Sequence, residues 1–304
     1  MDGGLHHSAP APWSTSIAVT IAVAATALFY LRGFRRFRRC FPERAAGCRP
    51  SAFLGGLIVL WIVIASPLST LDHRLLTFHM LQHLLLMTIA APLLLLGSPG
   101  GAFLRCLPLA VRRASVWLLG SAAAVRIGRA LTHPIFCWVA GTGVVVAWHI
   151  PAAHELSMAS SSWHLIQHVT FLTGGLLFWL PVMRTSRGSA TLPISLAPLY
   201  LFLATLPCDA LSAFLSFCGR ALYPSHHVAH ATFGLSALQD QELAGALMWF
   251  WVTIAYLLPA TVSTIRMLAP GVRESDGKTL VEPHKLGPAP ATSKAGSFLL
   301  TPRT

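Results

Sequence analysis

Apolar residues in this chain come in blocks of about twenty, separated by shorter polar or basic stretches. A helix crossing the ~30 Å hydrocarbon core of a bilayer needs about 20 such residues. Seven blocks qualify, at about 14–31, 52–71, 75–97, 132–152, 163–183, 193–217 and 243–266. A further run, Val116 to Val125, is too short to span and is flanked by Arg112, Arg113, Arg126 and Arg129. It predicts a short interfacial helix near 114–127. Pro92, Pro181, Pro198, Pro207 and Pro259 fall inside the blocks and should bend their helices. Gly174-Gly175 and Gly141-x-Gly143 suit close helix packing. The pattern predicts an all-α polytopic membrane protein of seven transmembrane helices over residues 1–269. A Pro-, Gly-, Ser- and Lys-rich segment, 270–304, reads as a disordered tail.

Composition agrees. Hydrophobic residues make up 54% and charged residues 11%, where a soluble domain carries about a quarter charged. Mean hydropathy is +0.63. The net charge of +12 would suit nucleic acid, but its distribution argues for a topology signal. Of 22 Lys and Arg, twenty fall in the stretches after blocks one, three, five and seven, and only Arg74 and Arg220 lie on the other side. The positive-inside rule then places the N-terminus outside and the C-terminus in the cytoplasm. The basic face should contact anionic lipid, and no nucleic-acid partner is expected. The first block lacks a preceding basic residue and is followed by a basic loop, the reverse of a cleaved signal peptide, so it reads as a retained anchor. Six cysteines form no C-x-x-C pair. Cys208 and Cys218 would stand about 15 Å apart on one helix, too far for a disulfide. Cys208 stays a minor metal-ligand candidate.

Twelve of the 14 histidines fall outside or in the outer half of the membrane, all but His133 and His284. One pattern occurs twice: His79-Met80-Leu81-Gln82-His83 and His164-Leu165-Ile166-Gln167-His168. The chain has four Gln, and two sit inside these copies. Residues four apart share a helix face, so each copy presents two imidazoles on one stripe. Both helices run inward from the outer face, and His149 rises to the same level from a third. Ionisable residues within a membrane are costly and functional by default, and imidazole suits copper, zinc and iron. His79, His83, His149, His164 and His168 are therefore candidate metal ligands. For His149 or His154 taken alone, an interfacial histidine bonded to lipid or water is an equal alternative. Gln82 and Gln167 either orient imidazoles or bond helix to helix. His226, His227 and His230 form a candidate capture site in the last outer loop, with a mobile polar loop as the equal alternative. Met80 and Met248 are soft donors but read mainly as packing. Asp209 would pair with a histidine or a cation, and Asp240 would cap the last helix. No hydrolase, kinase, nucleotide or H-E-x-x-H motif appears, so no enzyme is expected.

The run His79-Met80-x-Gln82-His83 through Ala91-Pro92 to Gly97-Ser-Pro99 resembles the signature of the CtaG family linked to caa3-type cytochrome c oxidase. Trp148-His149-x-Pro151, the His164-x-x-x-His168 helix ending in Phe178-Trp179-x-Pro181, and Asp240-Gln241-x-Leu-Ala244-Gly245-x-x-Met248-Trp249 resemble its later blocks. The resemblance spans roughly residues 50 to 268. It implies a polytopic factor of the bacterial inner membrane that assembles cytochrome c oxidase, with oxidase subunits as partners and copper as the handled metal. It points to the same five histidines. Two alternatives stay open: a b-type haem held by His83 and His168 for electron transfer, and a metal-free scaffold or transporter. Copper occupancy should fall as pH drops through about 6.5.

Overall fold

The computed structural model describes residues 12–46, 49–66, 71, 74–97, 99–185, 192–223 and 234–268. Every regular element among them is helical. In chain order these are α1 (Pro12–Cys40), α2 (Pro42–Ala46), α3 (Pro50–Ala65), α4 (Leu76–Leu84), a π-helical segment (Leu85–Ala90), α5 (Ala91–Leu96) and α6 (Pro99–Cys106). There follow α7 (Leu109–Gly120), α8 (Ala122–Leu131), α9 (Pro134–His149), α10 (Pro151–Ala159), α11 (Ser161–Thr185), a 3-10 turn (Ile194–Leu196), α12 (Ala197–Phe217) and α13 (Ala237–Leu268). One compact unit runs to Met267, and residues 268–304 form a second unit almost wholly outside the described residues.

Five of these helices are long and apolar enough to cross a membrane: Ile17–Cys40, Leu76–Leu96, Ser161–Arg184, Ile194–Phe217 and Ala237–Leu268. The chain is thus a multi-pass helical membrane protein. The block expected at 132–152 is shorter, because Pro134 starts α9 and Pro151 ends it. It passes the length test only together with α8, to which it is bent by 57°. The block expected at 52–71 yields the 16-residue helix α3, about 24 Å long at 1.5 Å per residue. The interfacial helix expected near 114–127 is two helices, α7 and α8. They break at Ser121, whose hydroxyl accepts from the Ala124 N–H and caps α8. Large apolar side chains stand outward on the long helices, among them Ile21, Phe202, Phe214, Phe250 and Leu258, as a lipid-facing surface requires.

Three buried apolar clusters hold the bundle among the described residues, the smallest formed by Leu76, Met80, Leu215, Tyr223 and Ala244. In the one beside α1, Tyr30 of α1 stacks on Phe53 of α3 with ring centroids 4.0 Å apart, and its hydroxyl donates to the Gly97 carbonyl at 2.9 Å. In the largest, Phe178, Trp179, Tyr200 and Tyr256 pack ring against ring, joining α11, α12 and α13. Glycine permits close helix crossings. A Cβ on Gly141 of α9 would lie 2.8 Å from Cβ of Phe178.

Pro92 leaves one carbonyl of the π-helical segment without its ladder donor. In an i→i+5 ladder, the Met87 carbonyl would accept from the N–H of residue 92, which proline lacks. The Trp179 indole N–H fills the vacancy at 2.9 Å. Trp251 of α13 donates to the Thr88 hydroxyl one residue on, at 2.8 Å. The widened turn is therefore stitched to α11 and α13, directly below His83.

A buried imidazole layer

Helices α4 and α11 set their histidines against each other. The His79 and His83 rings are 4.4 Å apart, as are those of His164 and His168. Across the helix pair, His79 meets His164 at 5.6 Å and His83 meets His168 at 5.5 Å. Four imidazoles thus mark the corners of a rectangle. His79, His83 and His168 are buried, and His164 is half-buried. The Nε2 atoms of His79 and His83 are 2.9 Å apart, so one donates to the other. The His168 Nδ1 lies 2.9 Å from the His164 carbonyl. A carbonyl only accepts, so Nδ1 carries the proton and Nε2 of the neutral ring is the basic nitrogen.

His149 follows the same logic from the end of α9. Its Nδ1 donates to the Val145 carbonyl at 2.7 Å, leaving Nε2 basic. That Nε2 and His83 Nδ1 are both buried without a hydrogen-bond partner. The two residues line one small cavity of about 20 Å³, shared with Met80, Met87, Cys208 and Met248. It has room for roughly one water molecule. Its donors are imidazole, thiol and thioether, the set that suits a soft monovalent ion such as Cu(I).

His154 is the member that sequence reasoning undervalued. It is fully buried, with its ring 4.9 Å from His79 and 4.4 Å from Tyr223. The Ile150-Pro151 break turns α10 back over the layer, and that break was the readable signal. Tyr223 also donates to the His149 carbonyl at 2.9 Å.

Asp240 has a role other than the one expected. Asp240 lies in the first turn of α13, which begins at Ala237. It caps α4 instead, accepting from the N–H groups of Leu76 at 2.6 Å and Thr77 at 3.1 Å and from the Thr77 hydroxyl at 2.7 Å. Gln241 secures the adjoining turn: its Oε1 accepts from the Leu222 N–H at 2.7 Å, and its Nε2 donates to the Leu215 and Arg220 carbonyls at 3.1 Å each. Gln82 donates across to the Val63 carbonyl of α3 at 3.5 Å, a helix-to-helix bond. One oxygen of Asp209 is buried without a hydrogen-bond partner. Both Cys208 and Cys218 are free thiols. His6, His7, Cys48, Asp72, His73, His226, His227, His230 and His284 lie outside the described residues.

Among the described residues, no group of three or more His, Cys, Asp or Glu side chains is already arranged around a common metal position. The Nε2 atoms of His79 and His83 face each other in a hydrogen bond. Their 2.9 Å separation is close to the roughly 3.3 Å between two nitrogens bound tetrahedrally to one ion at 2.0–2.1 Å.

Fold and site define a multi-pass helical membrane protein with a buried imidazole layer roofed by a short helix. Residues 28–269 match the family of cytochrome c oxidase caa3 assembly factors (Caa3_CtaG), and the chain belongs to that family. It is also similar to uncharacterized proteins of Mycobacterium bovis and Mycobacterium tuberculosis, each 26% identical over 252 residues, covering 78% of this chain and 36% of theirs. An uncharacterized protein of Mycobacterium leprae is 26% identical over 271 residues, covering 83% of this chain and 39% of its own. The chain thus spans little more than a third of the length of these curated relatives. No solved structure matches it.

Proposed function

We propose that this chain takes copper as cargo at the outer face of the bacterial inner membrane and supports metallation of the copper centres of cytochrome c oxidase. One observation carries the reading: two His pairs on facing helices, with His164 half-buried at the rim and a soft-donor cavity beside His83 and His149. Copper would enter at His164, pass to His79, His83 and His168, and settle near His149 and Cys208 by ligand exchange. Oxidase subunits are the partner kind that the family supports.

In this reading the chain crosses the membrane seven times, with α3 and the bent α8–α9 pair added to the five long helices. The N-terminus is outside and the C-terminus cytoplasmic, supported by the placement of 20 of 22 basic residues on one side. Residues 270–304 form the cytoplasmic tail. The small cavity favours a bare ion over haem b, because about 20 Å³ is far less than a porphyrin fills.

Metal analysis of protein purified in detergent tests the proposal. The expected result is copper in the wild type and its loss in the double variant His83→Ala/His168→Ala, with lowered oxidase activity in the host. Full copper occupancy in that variant overturns the ligand assignment. A Soret band would show haem instead.

A further inference from the structure

A groove of about 690 Å³ lies far from the imidazole layer, at the opposite end of α9. It is built by the 57° bend between α8 and α9. The bent-out α8 leaves a wedge between itself, the start of α9 and the start of α12. The groove's mouth carries Arg129 and His133, both exposed. Its long wall is apolar: Ile135, Leu196, Leu199 and Leu203, each at least 41% exposed. Its volume is within the roughly 300–1,000 Å³ range of small-molecule pockets.

Three features of the mouth select for negative charge. Arg126 sits three residues before Arg129, on the same face of α8. The N-terminus of α9 opens here, and its cap residue His133 makes no side-chain capping bond. The first amides of that 16-residue helix are therefore available to an anion. Among the described residues, no carboxylate lines the groove. Within the groove, the Trp138 indole N–H is buried without a hydrogen-bond partner. A buried donor next to an apolar wall calls for an acceptor belonging to the occupant.

We propose that this groove is a binding site for one anionic glycerophospholipid. The phosphodiester sits between Arg129 and the α9 N-terminus, an ester carbonyl accepts from Trp138, and one acyl chain lies along Leu196, Leu199 and Leu203. Basic pockets between transmembrane helices hold anionic headgroups in this manner. The site is independent of copper and lies at the end of α9 opposite His149.

Native mass spectrometry of the full chain in detergent, incubated with phosphatidylglycerol or phosphatidylcholine, reads the site directly. The wild type should retain phosphatidylglycerol preferentially. Arg129→Gln should lower that preference by about fivefold, since one arginine near an anionic headgroup is worth about 1 kcal/mol. Leu199→Trp, which fills the groove from an exposed position, should lower retention of both lipids. Arg112→Gln on α7, outside the groove, is the control and should change nothing. Equal retention of the two lipids by the wild type overturns the proposal. So does an equal loss in Arg112→Gln, which would mean only diffuse surface charge, or a neutral isoprenoid retained in the groove instead.

Discussion

Replacing Asp240 by alanine removes one carboxylate but leaves the start of another helix without its partners. Asp240 is fully buried and holds the N–H groups of Leu76 and Thr77 and the Thr77 hydroxyl. Helix α4 has no cap of its own, because Leu75 occupies the capping position. Two amides lose their acceptor, at about 1–3 kcal/mol each for a buried orphan. Loss of the favourable charge at a helix N-terminus adds about 0.3–1 kcal/mol. Together the cost is roughly 2–7 kcal/mol. Asp240→Asn keeps one acceptor oxygen and sets an NH2 against the other amide, so about half of that cost is expected. Equilibrium unfolding in mixed detergent micelles measures both. The site should respond too: His79 lies on the first turn of α4, with its N–H on the Leu75 carbonyl at 3.2 Å. Fraying of that turn loosens the His79–His83 pair, so copper retention should fall further in Asp240→Ala than in Asp240→Asn. The reasoning is refuted if Asp240→Ala unfolds within about 1 kcal/mol of the wild type, or if the two variants are equal.

The π-helical segment gives a second test. Trp179→Phe orphans the Met87 carbonyl and should cost about 1–3 kcal/mol. In a Pro92→Ala background, residue 92 regains an N–H, and the same change should cost at least 0.5 kcal/mol less, read as a double-mutant cycle. Additive costs would show that proline is not the cause. Gly175→Ala puts a Cβ 3.0 Å from the Met87 Cα and carbonyl oxygen and should destabilise by about 1–3 kcal/mol. Gly143→Ala meets nothing within 4 Å and should be neutral or stabilising by about 0.5–1 kcal/mol; thermal unfolding separates the two. Copper held by neutral imidazoles should be released on acidification, because the proton and the ion compete for the same nitrogen. A titration with metal analysis showing unchanged occupancy down to acidic pH would remove imidazole from the ligand set.

Much of this was readable in one dimension. Period and spacing placed His79 with His83 and His164 with His168, because a helix puts residues four apart on one face whatever surrounds it. Block length and basic-residue asymmetry gave a polytopic helical protein. His154 was harder, because a histidine on a nine-residue helix has no periodicity to say where its ring goes. Asp240 was misread for a related reason. An acid at the start of a helix reads as that helix's own cap, and nothing local says that the start of α4, over 160 residues earlier, is nearer.

The sequence by itself determined the apolar helices, the paired imidazoles and the prolines that interrupt the helical ladders, since each depends on neighbours in the chain. Only the tertiary structure decided that two pairs form one rectangle, that His154 roofs it, and that His83, His149 and Cys208 share a cavity. Those outcomes depend on which helix faces which. Packing fixes that through contacts such as Gly141 on Phe178 and Trp179 on Met87, between residues 37 or more positions apart in the chain.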